Sequence, residues 1–92
     1  MKITIKAKER MTLEDFADKH NLEMIVREHD WGWAAAFDNI EIKDRSILIS
    51  ACGIGSDPEQ AIADYKNRIS EKTLVIGAYT TQRKEIRVPV LE

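Results

Sequence analysis

Few residues of this 92-residue chain have the types and the spacing that chemistry requires. Gly53-Ile54-Gly55 follows an apolar segment, as a phosphate-binding loop would, but the third glycine of a dinucleotide-binding motif is missing. Asp57 and Glu59 would also repel a pyrophosphate bound there. We therefore interpret the two glycines as a structural turn that breaks a strand and lets the chain reverse.

His20, His29 and Cys52 are the candidate metal ligands, or a candidate nucleophile with its base. Their spacing matches no zinc pattern, and the chain has only one cysteine. A cysteine on a strand is usually a small buried apolar residue. The sequence also offers no paired carboxylates and no catalytic triad. It therefore predicts no catalytic residue, no metal and no cofactor, in a protein that is not an enzyme.

Two tryptophans, Trp31 and Trp33, flank Gly32 beside a predicted turn. Two interpretations stay open: both indoles pack beneath the helices, or one of them is exposed. An exposed tryptophan beside charged residues is a common anchor at protein interfaces, and it can also stack on single-stranded nucleic acid.

Charge is distributed unevenly although the formal net charge is only −2. Residues 9–44 contain ten acids and four bases, whereas residues 66–87 contain six bases and two acids. Either these side chains merely solvate the outer faces of helices and strands, or the surface is bipolar and steers charged partners.

Hydrophobic periodicity predicts a strand, a helix, three strands, a second helix and one or two further strands. The predicted strands are residues 1–7, 22–29, 33–37 with a bent continuation through Ile40 and Ile42, 47–51, 74–79 and 85–91. Pro89 indicates an edge position for the last segment. We expect an α+β fold, order β-α-β-β-β-α-β(-β), with a mainly antiparallel sheet and two helices on one face. Residues 1–92 form a single domain in this prediction.

Capping residues define the two predicted helices. Thr12 is the expected N-cap of the first helix, and Asn21 suits the left-handed conformation that ends it. Either Ser56 or Asp57 caps the second helix, and Pro58 suits its first position.

The single cysteine cannot form an internal disulfide, which is typical of a reducing compartment. No apolar run approaches the roughly 18 residues that span a bilayer. These features predict a cytoplasmic protein with no membrane contact. An unpaired strand edge at residues 1–7 or 88–91 could pair with a second copy, so we expect a monomer or a weak homodimer.

The glycine turn that leads into a helix containing Ala61-Ile62 resembles the HicB-like antitoxins. The order helix, three strands, helix also resembles the double-stranded RNA-binding fold. Binders of duplex RNA carry a basic cluster at the start of the second helix, whereas Asp57 and Glu59 occupy that position here and would repel phosphate. This departure argues against duplex RNA binding.

Residues 53–89 resemble small accessory proteins of bacteriophages and other mobile elements. The segments that carry the resemblance are Gly53-Ile54-Gly55, residues 58–65, Ile69-Ser70, Leu74-Val75 and residues 84–89. Some of these proteins are anti-CRISPR proteins, including inhibitors of type I systems, which block host surveillance complexes stoichiometrically. The resemblance implies a non-enzymatic protein of the host-cell cytoplasm that binds a host CRISPR-Cas complex and blocks its engagement of target DNA. Because anti-CRISPR proteins share no general motif, the resemblance assigns no functional residue.

The expected partner-binding residues are of two kinds. Acidic and aromatic side chains on turns would engage Lys and Arg of a DNA-binding groove in competition with phosphate. They are Glu28, Asp30, Trp31 and Asp44. Basic side chains near the end of the chain would contact guide RNA or an acidic protein patch. They are Arg83, Lys84 and Arg87.

The alternative function is that of a HicB-like antitoxin or another small nucleic-acid-binding module. In that case residues 66–87 would make the contact, and the acidic half would be a solvated face.

Overall fold

The structure, a computed structural model, describes residues 1–92 and contains two helices and nine strands. In chain order the elements are β1 (Arg10–Met11), α1 (Leu13–His20), β2 (Met24–His29), β3 (Gly32–Phe37), β4 (Ile40–Asp44), β5 (Ile47–Ile49), β6 (Gly53–Gly55), α2 (Pro58–Ile69), β7 (Thr73–Ile76), β8 (Lys84–Arg87) and β9 (Val90–Leu91). Strands β2-β3-β6 form one antiparallel sheet and β5-β4-β7-β8 another, while β1 pairs with β9 in parallel. The predicted α+β fold with a mainly antiparallel sheet is confirmed.

Strands β3 and β4 are two halves of one bent strand, as predicted. β3 ends at Phe37 and β4 begins at Ile40, and between them Asn39 takes a left-handed conformation with φ 57°. β3 pairs with β2 and β6, whereas β4 pairs with β5 and β7. Because of this bend, the antiparallel strands form two sheets, one that contains β3 and one that contains β4.

The sequence indicated the residues at which α1 begins and ends and at which α2 begins. The Thr12 hydroxyl accepts a hydrogen bond from the backbone N–H of Asp15 at 3.1 Å, and Asn21 ends α1 with φ 54°. For α2 the structure selects Asp57 as the N-cap, since its carboxylate accepts from the N–H of Gln60 at 2.8 Å.

Three aromatic rings hold the helices against the strands. The ring centre of Phe37 on β3 lies 6.3 Å from that of Phe16 on α1 and 5.5 Å from that of Tyr65 on α2. Because both rings contact Phe37, the two helices lie on the same side of β3. The Tyr65 hydroxyl is buried without a well-formed hydrogen bond, and this burial raises its pKa although the nearby Phe37 backbone acts in the opposite direction.

The predicted turn at Gly53 and Gly55 is wrong, because these residues form strand β6. Gly53 pairs with Ala35 and Gly55 with Trp33 of β3. A Cβ atom at Gly53 would overlap the backbones of α2 residues, and a Cβ at Gly55 would come within 2.6 Å of the Ala61 nitrogen. Glycine is therefore needed here because α2 lies directly on the strand.

The predicted strand over residues 1–7 is also wrong. Residues 1–9 belong to no helix or strand, and all of them are exposed. The period-2 pattern is present, but no strand of the chain lies beside it to provide hydrogen-bond partners.

Four other predicted strands are shorter than expected. The strand predicted at 22–29 is β2, which begins at Met24. The strand predicted at 47–51 is β5, which ends at Ile49, and the one at 74–79 is β7, which ends at Ile76 before Gly77 turns with φ 59°. The segment 85–91 divides around Pro89 into β8 and β9, and β8 is an edge strand, as Pro89 indicated.

Candidate interaction site

The first candidate surface is the turn between β2 and β3, which we call the hairpin tip (residues 28–33). Glu28 pairs with Trp33 and His29 with Gly32, so that only Asp30 and Trp31 connect the two strands. Gly32 has φ 141°, a conformation that residues with a side chain rarely adopt. The tight connection fixes where the Asp30 and Trp31 side chains leave the sheet.

At the hairpin tip one tryptophan is exposed and the other is half-buried. Trp31 is 62% exposed, and its ring stacks on that of His29 with centres 4.9 Å apart and planes at 5°. Trp33 lies between its β2 and β6 neighbours and is partly covered. The structure thus selects the second of the two interpretations, with one exposed indole held by a stacked imidazole.

Two carboxylates accompany the exposed indole. Glu28 and Asp30 are exposed and form no ion pair. The residues around this part of the surface line an open depression of about 520 Å³. They are Glu28, His29, Asp30, Trp31, Gly32, Trp33 and Ser56. An aromatic face next to free carboxylates suits a cationic group, because a guanidinium can stack on the ring and pair with the acids.

Asp44 does not belong to the hairpin tip. It ends β4 opposite Ile47, whereas Asp30 precedes β3, so the bent β3–β4 strand separates the two acids. Asp44 instead lines a second open depression, of about 390 Å³, that contains mostly charged side chains. Its lining residues are Lys43, Asp44, Arg45, Glu71, Lys72, Thr73, Glu85 and Arg87.

The basic candidates lie on or beside the edge strand β8, with an acid among them. Glu85 accepts a hydrogen bond from Lys43 at 2.9 Å and lies 3.5 Å from Arg83. The hydrogen bond from Lys43, more than the charge of Arg83, lowers the pKa of Glu85. Arg87 lies opposite Thr73 and shares the second depression with Asp44, and Lys84 lies opposite Ile76. This edge is therefore mixed in charge, and Arg83 is partly neutralised.

The histidines and the cysteine are not assembled into a chemical site. His20 packs on Phe16 at 4.7 Å, and its burial, followed by the charges of Lys19 and Lys84, lowers its pKa. Cys52 is exposed, which corrects the expectation of a buried thiol, because it lies between β5 and β6 in neither strand. No group of three His, Cys, Asp or Glu side chains is arranged to hold a metal ion.

Two features of these surfaces were missed at the level of sequence. One is the stacking of His29 on Trp31, for which the only signal is their two-residue spacing at a turn. The other is an open depression of about 240 Å³ that Ala34 and Ala36 line together with Cys52.

Comparisons of the chain with models of protein families, with curated proteins and with solved structures find no match. Neither of the two helices has the length and the apolar composition needed to cross a membrane.

Proposed function

We propose that this protein is a non-enzymatic binding protein whose hairpin tip occupies a basic, nucleic-acid-binding surface of a host nucleoprotein complex. The observation that supports this proposal is the exposed Trp31, held against His29 beside two carboxylates that have no partner within the chain. The resemblance to bacteriophage accessory proteins makes a CRISPR-Cas surveillance complex in the host cytoplasm the first partner to test. Inhibition would consist of blocking its engagement of target DNA.

The physical basis is competition for cationic side chains. A surface that binds DNA carries Lys and Arg, and carboxylates placed on it remove the charge that phosphates need. Glu28 and Asp30 supply that charge, and Trp31 supplies apolar contact area of the kind that concentrates binding energy. Because the two-residue turn and the ring stacking already order the hairpin tip, little conformational entropy is lost on binding.

The direct test is the binding of target DNA by a purified type I surveillance complex at increasing concentrations of this protein. We expect the complex to lose DNA binding when about one molecule of this protein is present for each site on the complex that it blocks. Asp30→Lys and Trp31→Ala should each weaken inhibition by at least about tenfold, the size of effect typical of an interface anchor.

Matched controls separate the hairpin tip from general charge and exposure. Asp18→Lys on the exposed face of α1 changes the net charge as Asp30→Lys does, and Tyr79→Ala removes an exposed aromatic ring elsewhere. Both should inhibit like the unaltered protein. Unchanged DNA binding at saturating protein, or equal effects of the tip and control variants, would contradict the proposal.

A second candidate function is that of a small nucleic-acid-binding module, as in the HicB-like antitoxins. The observation that favours it is a cross-strand row of three residues, in which Lys43 lies opposite Thr73 and Thr73 lies opposite Arg87. This row places two basic residues on the same face of the sheet. The pairing of Lys43 with Glu85 weakens this candidate.

Salt dependence distinguishes the two functions. A nucleic-acid-binding module should bind free oligonucleotides with an affinity that falls steeply as salt rises, and Arg87→Ala should reduce that slope. A protein-directed inhibitor should not bind free oligonucleotides. In the inhibitor, Arg83, Lys84 and Arg87 remain the predicted contacts to guide RNA or to an acidic patch.

A further inference from the structure

Residues 1–8, which we call the N-terminal arm, have the sequence pattern of a strand without a neighbour. Ile3 and Ile5 alternate with Lys2, Thr4 and Lys6, and the whole arm is exposed. Ile3 is 69% and Ile5 is 89% exposed. Two β-branched side chains are therefore left in water on one side of a segment whose composition favours a sheet.

A second exposed apolar segment is the edge strand β5. It pairs only with β4, so its other side presents N–H and C=O groups that no strand of the chain uses. Ile47 is 66% and Ile49 is 40% exposed. The chain has eight large hydrophobic side chains that are exposed, and these two segments account for five of them. They are Met1, Ile3, Ile5, Ile47 and Ile49.

We propose that the N-terminal arm of one copy adds as a strand to the β5 edge of a second copy, and that the exchange is reciprocal. An arm supplies the hydrogen-bond partners that β5 lacks, and β5 supplies the neighbour that the arm lacks. Since each copy gives one arm and accepts one, the contact closes as a twofold-symmetric dimer and leaves no open chain of subunits.

The spacing of the isoleucines defines a register. An arm antiparallel to β5 places Ile3 opposite Ile49 and Ile5 opposite Ile47, so that all four side chains lie on one face of the extended sheet. Thr4 then lies opposite Leu48 on the other face.

The charges of the arm are compatible with this register. The arm contains Lys2, Lys6 and Lys8 and no acid. Continuing the observed pairing of Ile42 with Ile49 by one residue places Ser50 opposite Glu41, and the proposed register places Lys2 opposite Ser50. Lys2 would thus lie in the same cross-strand row as Glu41, an acid that forms no ion pair within the chain.

The base of the arm is already fixed to the domain. Lys8 forms an ion pair with Glu71 at 2.6 Å, and the next residues enter the β1–β9 pair. The hydrogen bond that Lys8 donates, together with its positive charge, holds the pKa of the Glu71 carboxyl below its usual range. Residues 1–7 therefore extend from an ordered point and can span roughly 23 Å, which is long enough to follow the three residues of β5.

The mass of the full chain in solution tests the dimer. We expect a species of twice 10.5 kDa in analytical ultracentrifugation. Ile5→Asp should raise the dissociation constant of the dimer by at least about tenfold, since a charge would replace an isoleucine in the new sheet. Tyr79→Asp is the matched control, because Tyr79 is 86% exposed outside both segments, and it should leave the constant unchanged. A monomer at all concentrations, or equal effects of the two variants, would overturn the proposal.

A cross-linking experiment tests which segments meet. In a Cys52→Ser background, one chain carries Ile3→Cys and another carries Ile49→Cys, and the two are mixed under mild oxidation. We expect a disulfide between the unlike chains, and none when Tyr79→Cys replaces Ile49→Cys. A chain with both Ile3→Cys and Ile49→Cys that cross-links only within itself would show pairing of the arm with its own β5 and would overturn the exchange. Because these positions lie outside the hairpin tip, the result is independent of the proposed function.

Discussion

Strands β5 and β6 follow one another in the chain, have three residues each and lie on the same side of the bent β3–β4 strand, yet a helix lies on only one of them. β5 reads Ile-Leu-Ile and exposes its isoleucines, whereas β6 reads Gly-Ile-Gly and buries Gly53 on the face beneath α2 while Ile54 stays exposed. The difference comes from α2, which lies directly on β6 and leaves β5 uncovered. Burial in these two strands is thus set by whether the helix covers a strand face, and not by how apolar the strand is.

The helix also protects the edge of β6 in a way that β5 lacks. Asp64 of α2 accepts a hydrogen bond from the backbone N–H of Ile54 at 2.9 Å and another from Arg68 at 3.0 Å. The bond from Ile54, followed by that from Arg68, lowers the pKa of Asp64. A strand edge whose N–H group is already hydrogen-bonded is a poor site for another strand. Of the neighbouring edges of β5 and β6, only that of β5 therefore remains open to a further strand.

The strongest test of the comparison is Gly53→Ala. A methyl group there would overlap the α2 backbone, which cannot move without separating helix and sheet, so we expect a loss of about 3 kcal/mol or more in the free energy of unfolding. Gly77→Ala is the control, since its φ of 59° costs about 1 kcal/mol and its nearest neighbour is a side-chain atom, the Thr80 hydroxyl, and not a helix backbone. Urea unfolding followed by circular dichroism measures both. Equal losses would show that α2 does not hold β6 tightly.

A smaller effect is expected from Asp64→Ala, which removes the contact between α2 and the β6 edge. We expect a loss of about 1 kcal/mol near pH 7, reduced by the partial exposure of the carboxylate. Because the pKa of Asp64 is lower in the folded protein, its contribution is complete above the ordinary value of about 4 and disappears as the pH falls through the folded value.

The measurement for Asp64→Ala is the difference in unfolding free energy from the unaltered protein at several pH values. Asp18→Ala on α1 is the control, since the Asp18 carboxylate has no ion pair. A difference that stays constant as the pH falls through the lowered, folded-state pKa of Asp64 would mean that the ionised carboxylate is not what stabilises the edge.

The smallest effect on folding is expected from Ile47→Ala. The side chain is mostly exposed, so the unfolding free energy of the monomer at low protein concentration should change by no more than about 0.5 kcal/mol. Ile42→Ala, the same change at a buried position of the adjacent strand β4, should cost at least about 2 kcal/mol. Similar losses for the two variants would remove the contrast between covered and uncovered strands.

Features that depend on neighbouring residues in the sequence were predictable. Thr12, Asn21 and Pro58 mark the helices because capping acts within a few residues. The apolar face of α2 follows from the helical spacing of Ala61, Tyr65 and Ile69, which are buried in the structure. The bend after Phe37 was likewise indicated by the polar Asp38 and Asn39.

Features that depend on distant contacts were not predictable in the same way. A Gly-Ile-Gly sequence resembles a turn, and only the close approach of α2 shows why glycine is required in a strand. Residues 1–7 have a strand pattern, but a pattern does not supply a neighbouring strand.

The candidate site likewise has features that follow from the local sequence and features that depend on distant contacts. The tight turn at Asp30–Trp31 exposes the Trp31 indole. An exposed tryptophan was one of the two interpretations that the sequence left open. The separation of Asp30 from Asp44 and the position of Glu85 among the bases arise from strand pairing across the chain. Charge counts along a sequence therefore located the acidic and basic segments without showing which charges meet.

The pairing of β1 with β9 brings residue 10 beside residue 90, and it places Leu91 in the hydrophobic core. Contacts between such distant residues raise the contact order and slow folding, because nearly the whole chain must be closed into a loop before they form. The hydrophobic core therefore stays incomplete until β9 has paired with β1. A chain in which this pairing has not yet formed exposes apolar surface, the kind of intermediate that chaperones and proteases recognise.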